Sequence, residues 1–278
     1  MRLTEEYIRS ILPTRKADGN KGTFGRALLI CGSNDMRGAA ALSLLGALRT
    51  GAGLVTLSST KEVIDALSSS IYEVIWSDRE KTDCISLAKK QTAVGIGCGM
   101  GQSEETYALI EALLKEDGGV PLVIDADGLN VLSGKCELLK NAKRPVVLTP
   151  HPLEFSRLSG KAVAEIQSDR QAHAKAFAKE YGVTLLLKGK DTVITDGENL
   201  YINPTGSSAL AKGGSGDVLC GMICSFLAQG CSTVDAACIS AYCHGKAGER
   251  LANIYSEYGV LASELPSEAA KYLREITK

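Results

Sequence analysis

Apolar residues in this chain gather into short, nearly unbroken runs: Arg26 to Cys31, Gly53 to Ser58, Thr92 to Gly97, Pro121 to Ala126, Pro145 to Thr149 and Val183 to Lys188. Runs of this length that do not alternate with polar residues predict strands covered on both faces. Between them lie segments with helical character, such as Ala39 to Thr50, Glu104 to Lys115 and Ile166 to Tyr181. Strand, helix, strand in repetition implies an α/β fold with a central parallel sheet and helices on both faces.

The pattern changes after residue 189. Thr192 to Thr195 and Leu200 to Asn203 read as short strands joined through Asp196-Gly197-Glu198-Asn199, a good turn sequence, so a small antiparallel hairpin is predicted near the end of the sheet. Two helices are then expected to close the chain. One runs from about Asp217 to Gln229, ends at Gly230 and is apolar nearly all round, which buries it. The other is opened by Ser232, with Asp235 three residues on.

With 278 residues and 45% hydrophobic content, the chain has enough apolar surface for one large core. No linker, repeat or low-complexity tract divides it, so one domain over residues 1–278 is expected. Lys and Arg number 31 against 32 Asp and Glu, which argues against a polybasic face for nucleic acid. The apolar stretches stop short of the ~20 residues a membrane span needs. Acids at Glu5 and Glu6 do not suit a signal peptide. Nine cysteines, an odd number with no Cys-x-x-Cys pair, fit thiols packed as small hydrophobes in a cytoplasmic protein. Cys220 and Cys224 lie one helical turn apart, but no His stands at ligand spacing beside them, which argues against zinc.

The strongest chemical signal is Asn203-Pro204-Thr205-Gly206-Ser207-Ser208-Ala209-Leu210-Ala211-Lys212-Gly213-Gly214-Ser215-Gly216-Asp217, directly ahead of the buried helix. Glycines there let the backbone turn sharply, so that unpaired N–H groups at the helix start point at an anion such as a phosphate. Asp217 falls in the first turn, where the helix dipole favours a carboxylate ready to take a proton. An ordinary N-cap would look similar.

Other residues carry weaker signals. Asp125 and His151 fall at the carboxyl ends of predicted parallel strands, where open α/β sheets place ligands. His151 stands between Pro150 and Pro152, so it is extended rather than helical. Gly97, Gly99 and Gly101 follow a strand, either for close approach of a ligand or as a tight turn; the spacing is wrong for a dinucleotide fingerprint. Lys188 ends a strand and is followed by Gly189, which suits either a phosphate contact or a solvated lysine. Lys21-Gly22-Thr23-Phe24-Gly25 reads equally as a glycine-punctuated lead into the first strand. Asp125 and Asp127 read as turn residues or as remote, water-mediated magnesium partners.

Taken in order, these motifs resemble the ADP- or ATP-dependent NAD(P)H-hydrate dehydratases, a family of the ribokinase-like superfamily. The resemblance spans nearly the whole chain. It rests on the Gly213 to Asp217 run with Lys21 to Gly25, Gly38-Ala39-Ala40, Arg49-Thr50-Gly51-Ala52-Gly53 and Gly97-Cys98-Gly99-Met100-Gly101. Asp125-Ala126-Asp127-Gly128-Leu129, Leu148-Thr149-Pro150-His151-Pro152-Leu153-Glu154-Phe155 and Leu187-Lys188-Gly189-Lys190-Asp191-Thr192 complete it. The resemblance implies a hydro-lyase that dehydrates the S-epimer of hydrated NADH or NADPH (NADHX, NADPHX), with Mg²⁺ and with ADP or ATP as co-substrate. Asp217 would be the catalytic acid/base and, with Ala39, Gly99, Gly101 and His151, would meet the hydrated nucleotide. Lys188, Gly189, Lys190, Asp191 and Thr192, with Gly213, Gly214, Ser215 and Gly216, would meet the adenine nucleotide. Metal ligands are not assigned. A homotetramer and a separate protein that interconverts the R and S epimers are implied as well. A vitamin-precursor kinase of the same superfamily is the competing reading, against which the Thr149-Pro150-His151-Pro152 segment stands.

Overall fold

The computed structural model describes residues 1–277. Its strands are β1 (Arg26–Ile30), β2 (Leu54–Ser59), β3 (Val74–Asp78), β4 (Ala93–Ile96), β5 (Leu122–Ile124), β6 (Val146–Leu148), β7 (Thr184–Leu187), β8 (Thr192–Thr195) and β9 (Leu200–Asn203). They form one nine-stranded sheet in the order β3-β2-β1-β4-β5-β6-β7-β8-β9. Every pairing up to β6–β7 is parallel; β7–β8 and β8–β9 are antiparallel. This is the mostly parallel sheet with a terminal hairpin that the sequence predicts, with helices on both faces.

Burial explains the unbroken apolar runs. In β1, Ala27 and Leu29 point into one core and Leu28 and Ile30 into the other, all fully buried. Alternate side chains of a strand leave on opposite faces, so a strand between two helical layers has no polar position to offer. β3 escapes that pattern because it is an edge strand, with Ile75 half exposed and only Val74 buried.

The Ser215–Ala228 helix lies against the sheet and against the Arg37–Arg49 helix. A Cβ on Gly221 would lie 2.0 Å from the Ser43 carbonyl oxygen, and one on Gly46 would lie 2.4 Å from that of Val218. The absent side chains let these two backbones touch, which seats the helix that carries Asp217.

Three helices differ from the sequence reading. The segment Ile166 to Tyr181 is two helices, Val163–Ser168 and Arg170–Tyr181, because the Asp169 carboxylate accepts the Ala172 N–H at 2.9 Å and starts a new helix. Such a carboxylate competes with the helical ladder for backbone donors. The Thr233–Gly259 helix is opened by Ser232 as read and is broken at Ser256, whose φ is 64°. It does not close the chain: a third helix, Leu265–Ile276, follows and buries Leu265, Ala269, Tyr272 and Ile276 along one face. Among the described residues no helix is long and apolar enough to cross a membrane.

Candidate active site

The order β2-β1-β4 makes the end of β1 a point where the chain's winding reverses, the place where open α/β sheets bind ligands beyond the strands' carboxyl ends. The Gly32 N–H donates to the Cys98 carbonyl at 2.8 Å and ties the two strand exits together. Gly99 packs directly on the start of the Arg37–Arg49 helix: a Cβ on it would lie 2.8 Å from the Ala39 Cβ. The Gly101 N–H donates to Asp127 Oδ2 at 2.8 Å, so Asp127 is occupied in holding this turn. Ala39, Gly99 and Gly101 thus lie together at this edge of the sheet.

The head of the Ser215–Ala228 helix faces it. Gly214 caps the helix with φ 94°, a conformation that glycine adopts without strain, and it offers no side chain to the first amides. Those amides lack intrahelical acceptors, the local geometry from which a helix head can meet an anion. The preceding loop is laced to the Thr233–Gly259 helix. The Gly206 N–H donates to Glu249 Oε1 at 2.9 Å, Thr205 Oγ1 donates to the Tyr242 carbonyl at 3.1 Å, and Lys212 Nζ donates to the Val260 carbonyl at 2.7 Å. Lys212 is therefore a clamp on the loop.

Beside the helix head runs a chain of charges. Lys188 Nζ lies 2.9 Å from Asp125 Oδ1 and 3.9 Å from Glu154 Oε2. A Cβ built on Gly216 would stand 3.4 Å from Lys188 Nζ and 3.5 Å from Asp125 Oδ2, which puts this ion pair against the first turn of the helix. Asp125 is a direct partner of Lys188 and no mere turn residue. Glu154 is the residue that sequence reasoning left out; it is 6% exposed, and its signal was the spacing His151-x-x-Glu154. His151 Nδ1 accepts the N–H groups of Leu153 and Glu154 at 3.1 and 3.2 Å, and Glu154 Oε2 accepts the His151 N–H at 2.8 Å. This is a capping box with an imidazole as the cap.

Gly189 to Thr192 form the turn from β7 to β8. Thr192 Oγ1 donates to the Gly189 carbonyl at 2.9 Å, and Asp191 pairs at the surface with Arg2 at 3.2 Å. The Arg170 guanidinium, a second residue the sequence did not single out, holds this turn through the Leu187 and Lys188 carbonyls at 2.9 and 3.0 Å and through that of Lys190. The Lys21 to Gly25 motif lies elsewhere. A Cβ on Gly25 would lie 2.0 Å from the Ala228 carbonyl, at the far end of the helix that starts near Asp217.

The electrostatics follow from burial. Burial pushes the Asp217 carboxyl up to about 9, helped by the Cys98 sulfur and the Asp125 carboxylate, so in the free protein it keeps its proton at neutral pH. The dipole alone predicts an ionised group; desolvation outweighs it here. Burial also raises Asp125 against the pull of Lys188. Burial works to lower Lys188, but Asp125 and Glu154 outweigh it and hold the ammonium above its ordinary value. Burial, then Lys188 and Arg157, lower His151, which suits an Nδ1 that accepts two N–H bonds.

A glycine-cradled helix head with a carboxyl in its first turn, at the carboxyl edge of a mostly parallel sheet, defines the class: a nucleotide-binding enzyme of ribokinase-like architecture. The model of the NAD(P)H-hydrate dehydratase family matches residues 27–271, and the chain belongs to that family. It is 38% identical over 266 residues to the ADP-dependent (S)-NAD(P)H-hydrate dehydratase of Bacillus subtilis, covering 94% of each chain. It is 38% identical over 276 residues to the bifunctional NAD(P)H-hydrate repair enzyme of Moorella thermoacetica, covering 95% of this chain and 52% of that one. The chain thus spans about half the length of such bifunctional relatives. The crystal structure of the ADP/ATP-dependent NAD(P)H-hydrate dehydratase from Bacillus subtilis, co-crystallised with ATP and Mg²⁺, superposes with a TM-score of 0.87 at 34% identity, over 98% of this chain and 97% of that one.

Magnesium prefers an all-oxygen octahedral shell. Among the described residues the one cluster of ligand groups is Cys98, Asp125 and Cys220, a soft set that does not fit it. Asp125 is engaged with Lys188, and Asp127 with Gly101.

Proposed function

We propose that this chain dehydrates the S-epimer of hydrated NADH or NADPH back to the working cofactor, using ADP or ATP to turn a poor leaving group into a good one. The observation that carries this reading is the helix head itself. Asp217 stands in its first turn, behind the Gly213 to Gly216 run, and the Lys188–Asp125 ion pair lies against that same turn, which supports the reading.

Hydroxide leaves carbon six of the reduced ring poorly. Transfer of the nucleotide's terminal phosphoryl group to that hydroxyl makes phosphate the leaving group. The lone pair of the ring nitrogen expels it, and the iminium cation so formed loses a proton from carbon five to solvent, restoring the double bond between carbons five and six. The former hydroxyl oxygen departs with the phosphate, and the nucleotide is left one phosphate shorter. In this reading Asp217 accepts the hydroxyl proton as the phosphoryl group arrives. The helix amides stabilise charge on the group in transfer. Lys188 holds positive charge beside the phosphates, and Asp125 and Glu154 keep it in place and protonated. Asp217 must first give up the proton it holds in the free protein, which makes its raised pKa part of the mechanism. Mg²⁺, where it accompanies the nucleotide, would supply further positive charge at the phosphates.

The test is recovery of the reduced-nicotinamide absorbance from purified S-hydrate with ADP or ATP and Mg²⁺. No recovery with either nucleotide would overturn the reading. A stable phosphorylated product from a thiazole or pyrimidine alcohol instead would favour a kinase.

A further inference from the structure

We propose that the layer directly beneath Asp217 is a binding site for a thiophilic divalent cation such as Zn²⁺, held by Cys98, Cys220 and Asp125, and that filling it inhibits the enzyme. The ligand atoms of these three buried residues lie within 4.8 Å of one another. Ligands around a tetrahedral zinc ion sit about 3.3–3.8 Å apart, so a contraction of roughly an ångström would bring the set into place. The three come from the turn after β4, the exit of β5 and the second turn of the Ser215–Ala228 helix, a convergence that sequence spacing hides.

The surroundings are polar for a buried layer: Ser43 Oγ, fully buried, lies beside the sulfurs of Cys98 and Cys31. Charge also balances. Two thiolates and a carboxylate against a divalent ion leave one negative charge, and the Lys188 ammonium stands 2.9 Å from Asp125 to meet it. Sulfur ligands select zinc over magnesium. Asp217 borders Cys98 and is only half-buried, so the layer comes nearest to solvent on that side. On binding, each thiol releases its proton to solvent as its sulfur bonds the ion, and Asp217, which borders Cys98 and keeps its own proton beside the anionic ligands, is held from accepting one from substrate.

The test is titration of the chelator-treated full chain with Co²⁺, which reports thiolate ligation through a sulfur-to-cobalt charge-transfer band whatever reaction the enzyme performs. The expected result is a band saturating at one equivalent and displaced by Zn²⁺. It should be lost in Cys98→Ser and in Cys220→Ser and kept in Cys224→Ser, whose parent thiol points to the Leu28 carbonyl. In wild-type protein, bound Zn²⁺ should protect Cys98 and Cys220 from alkylation, a readout that needs no variant. In the repair assay with excess Mg²⁺, Zn²⁺ should inhibit wild type, reversibly by chelator, by at least about tenfold more than Cys220→Ser. No charge-transfer band in wild type, or a band and alkylation pattern indifferent to Cys98 and Cys220, would overturn the proposal.

Discussion

Lys188 and Asp125 form an ion pair of 2.9 Å at the exits of two strands separated by β6, with the carboxylate almost wholly enclosed. The pair faces the first helical turn, so it joins stability to function. Replacing Lys188 with Met strands a buried carboxylate, a loss of about 3–5 kcal/mol for pairs of this kind. The cost depends on pH with a definite sign. Without Lys188, the already raised Asp125 pKa rises further; the penalty is full above that folded value and vanishes below the unfolded one. Thermal melts should therefore show a K188M deficit at pH 8 that shrinks toward pH 5. K188M/D125N should recover the melting temperature and not the nucleotide affinity. A deficit independent of pH would point to lost packing instead.

Asp217 offers a second pH test. Its carboxyl, raised to about 9 by burial, binds a proton in the folded state that the unfolded chain has released. Between the ordinary carboxylate range and about 9, the folded state thus holds more protons, and stability falls as pH rises. Asp217→Asn removes that slope. The variant should melt at or above wild type, by a margin that grows from pH 5 to pH 8.5, while turnover drops by orders of magnitude. Turnover of wild type at saturating nucleotide should climb with pH, since only the ionised form accepts the proton. A flat profile together with near-normal D217N turnover would assign the proton to another group.

The sheet and the helix head were legible in sequence because both rest on local rules: unbroken apolar runs for doubly covered strands, and glycines ahead of an apolar run for the start of a buried helix. β3 was not, because an edge strand keeps exposed positions such as Ile75 and lacks that signature. The break at Asp169 depends on one carboxylate choosing a cap over a continuing helix. Glu154 and Arg170 were missed for a different reason. Their partners are a lysine and the carbonyls of a turn, brought to them by the order of β5, β6 and β7 and not by sequence neighbours. The Asp217 pKa was misjudged because the helix dipole is a property of the sequence pattern, whereas desolvation depends on what packs around the group.

Gly216 separates fold from ligand. A methyl group there would meet Lys188 Nζ at 3.4 Å and Asp125 Oδ2 at 3.5 Å, ordinary contacts, and its backbone is helical. Gly216→Ala should fold with unchanged or slightly raised stability, since alanine favours a helix over glycine by up to ~1 kcal/mol. The methyl occupies space above the amides where a phosphate oxygen would lie. We expect the KM for ADP or ATP to rise by about tenfold or more, equivalent to ~1.4 kcal/mol, with the KM for the hydrate little changed. Equal rises in both would place the two ligands in a different arrangement.

His151 caps a helix, and that role must be removed before any contact with substrate is claimed for it. Its Nδ1 accepts two backbone N–H groups, and 46% of the side chain is exposed toward solvent. His151→Ala should cost about 1 kcal/mol, the usual loss of a polar cap. His151→Asn keeps an acceptor at the same place and should restore the melting temperature. The two variants then divide the roles by kinetics. If the imidazole also meets the hydrated nicotinamide, the KM for the hydrate stays elevated in H151N although the helix is capped. If the cap is its whole contribution, H151N matches wild type in both KM and turnover, and only H151A is impaired.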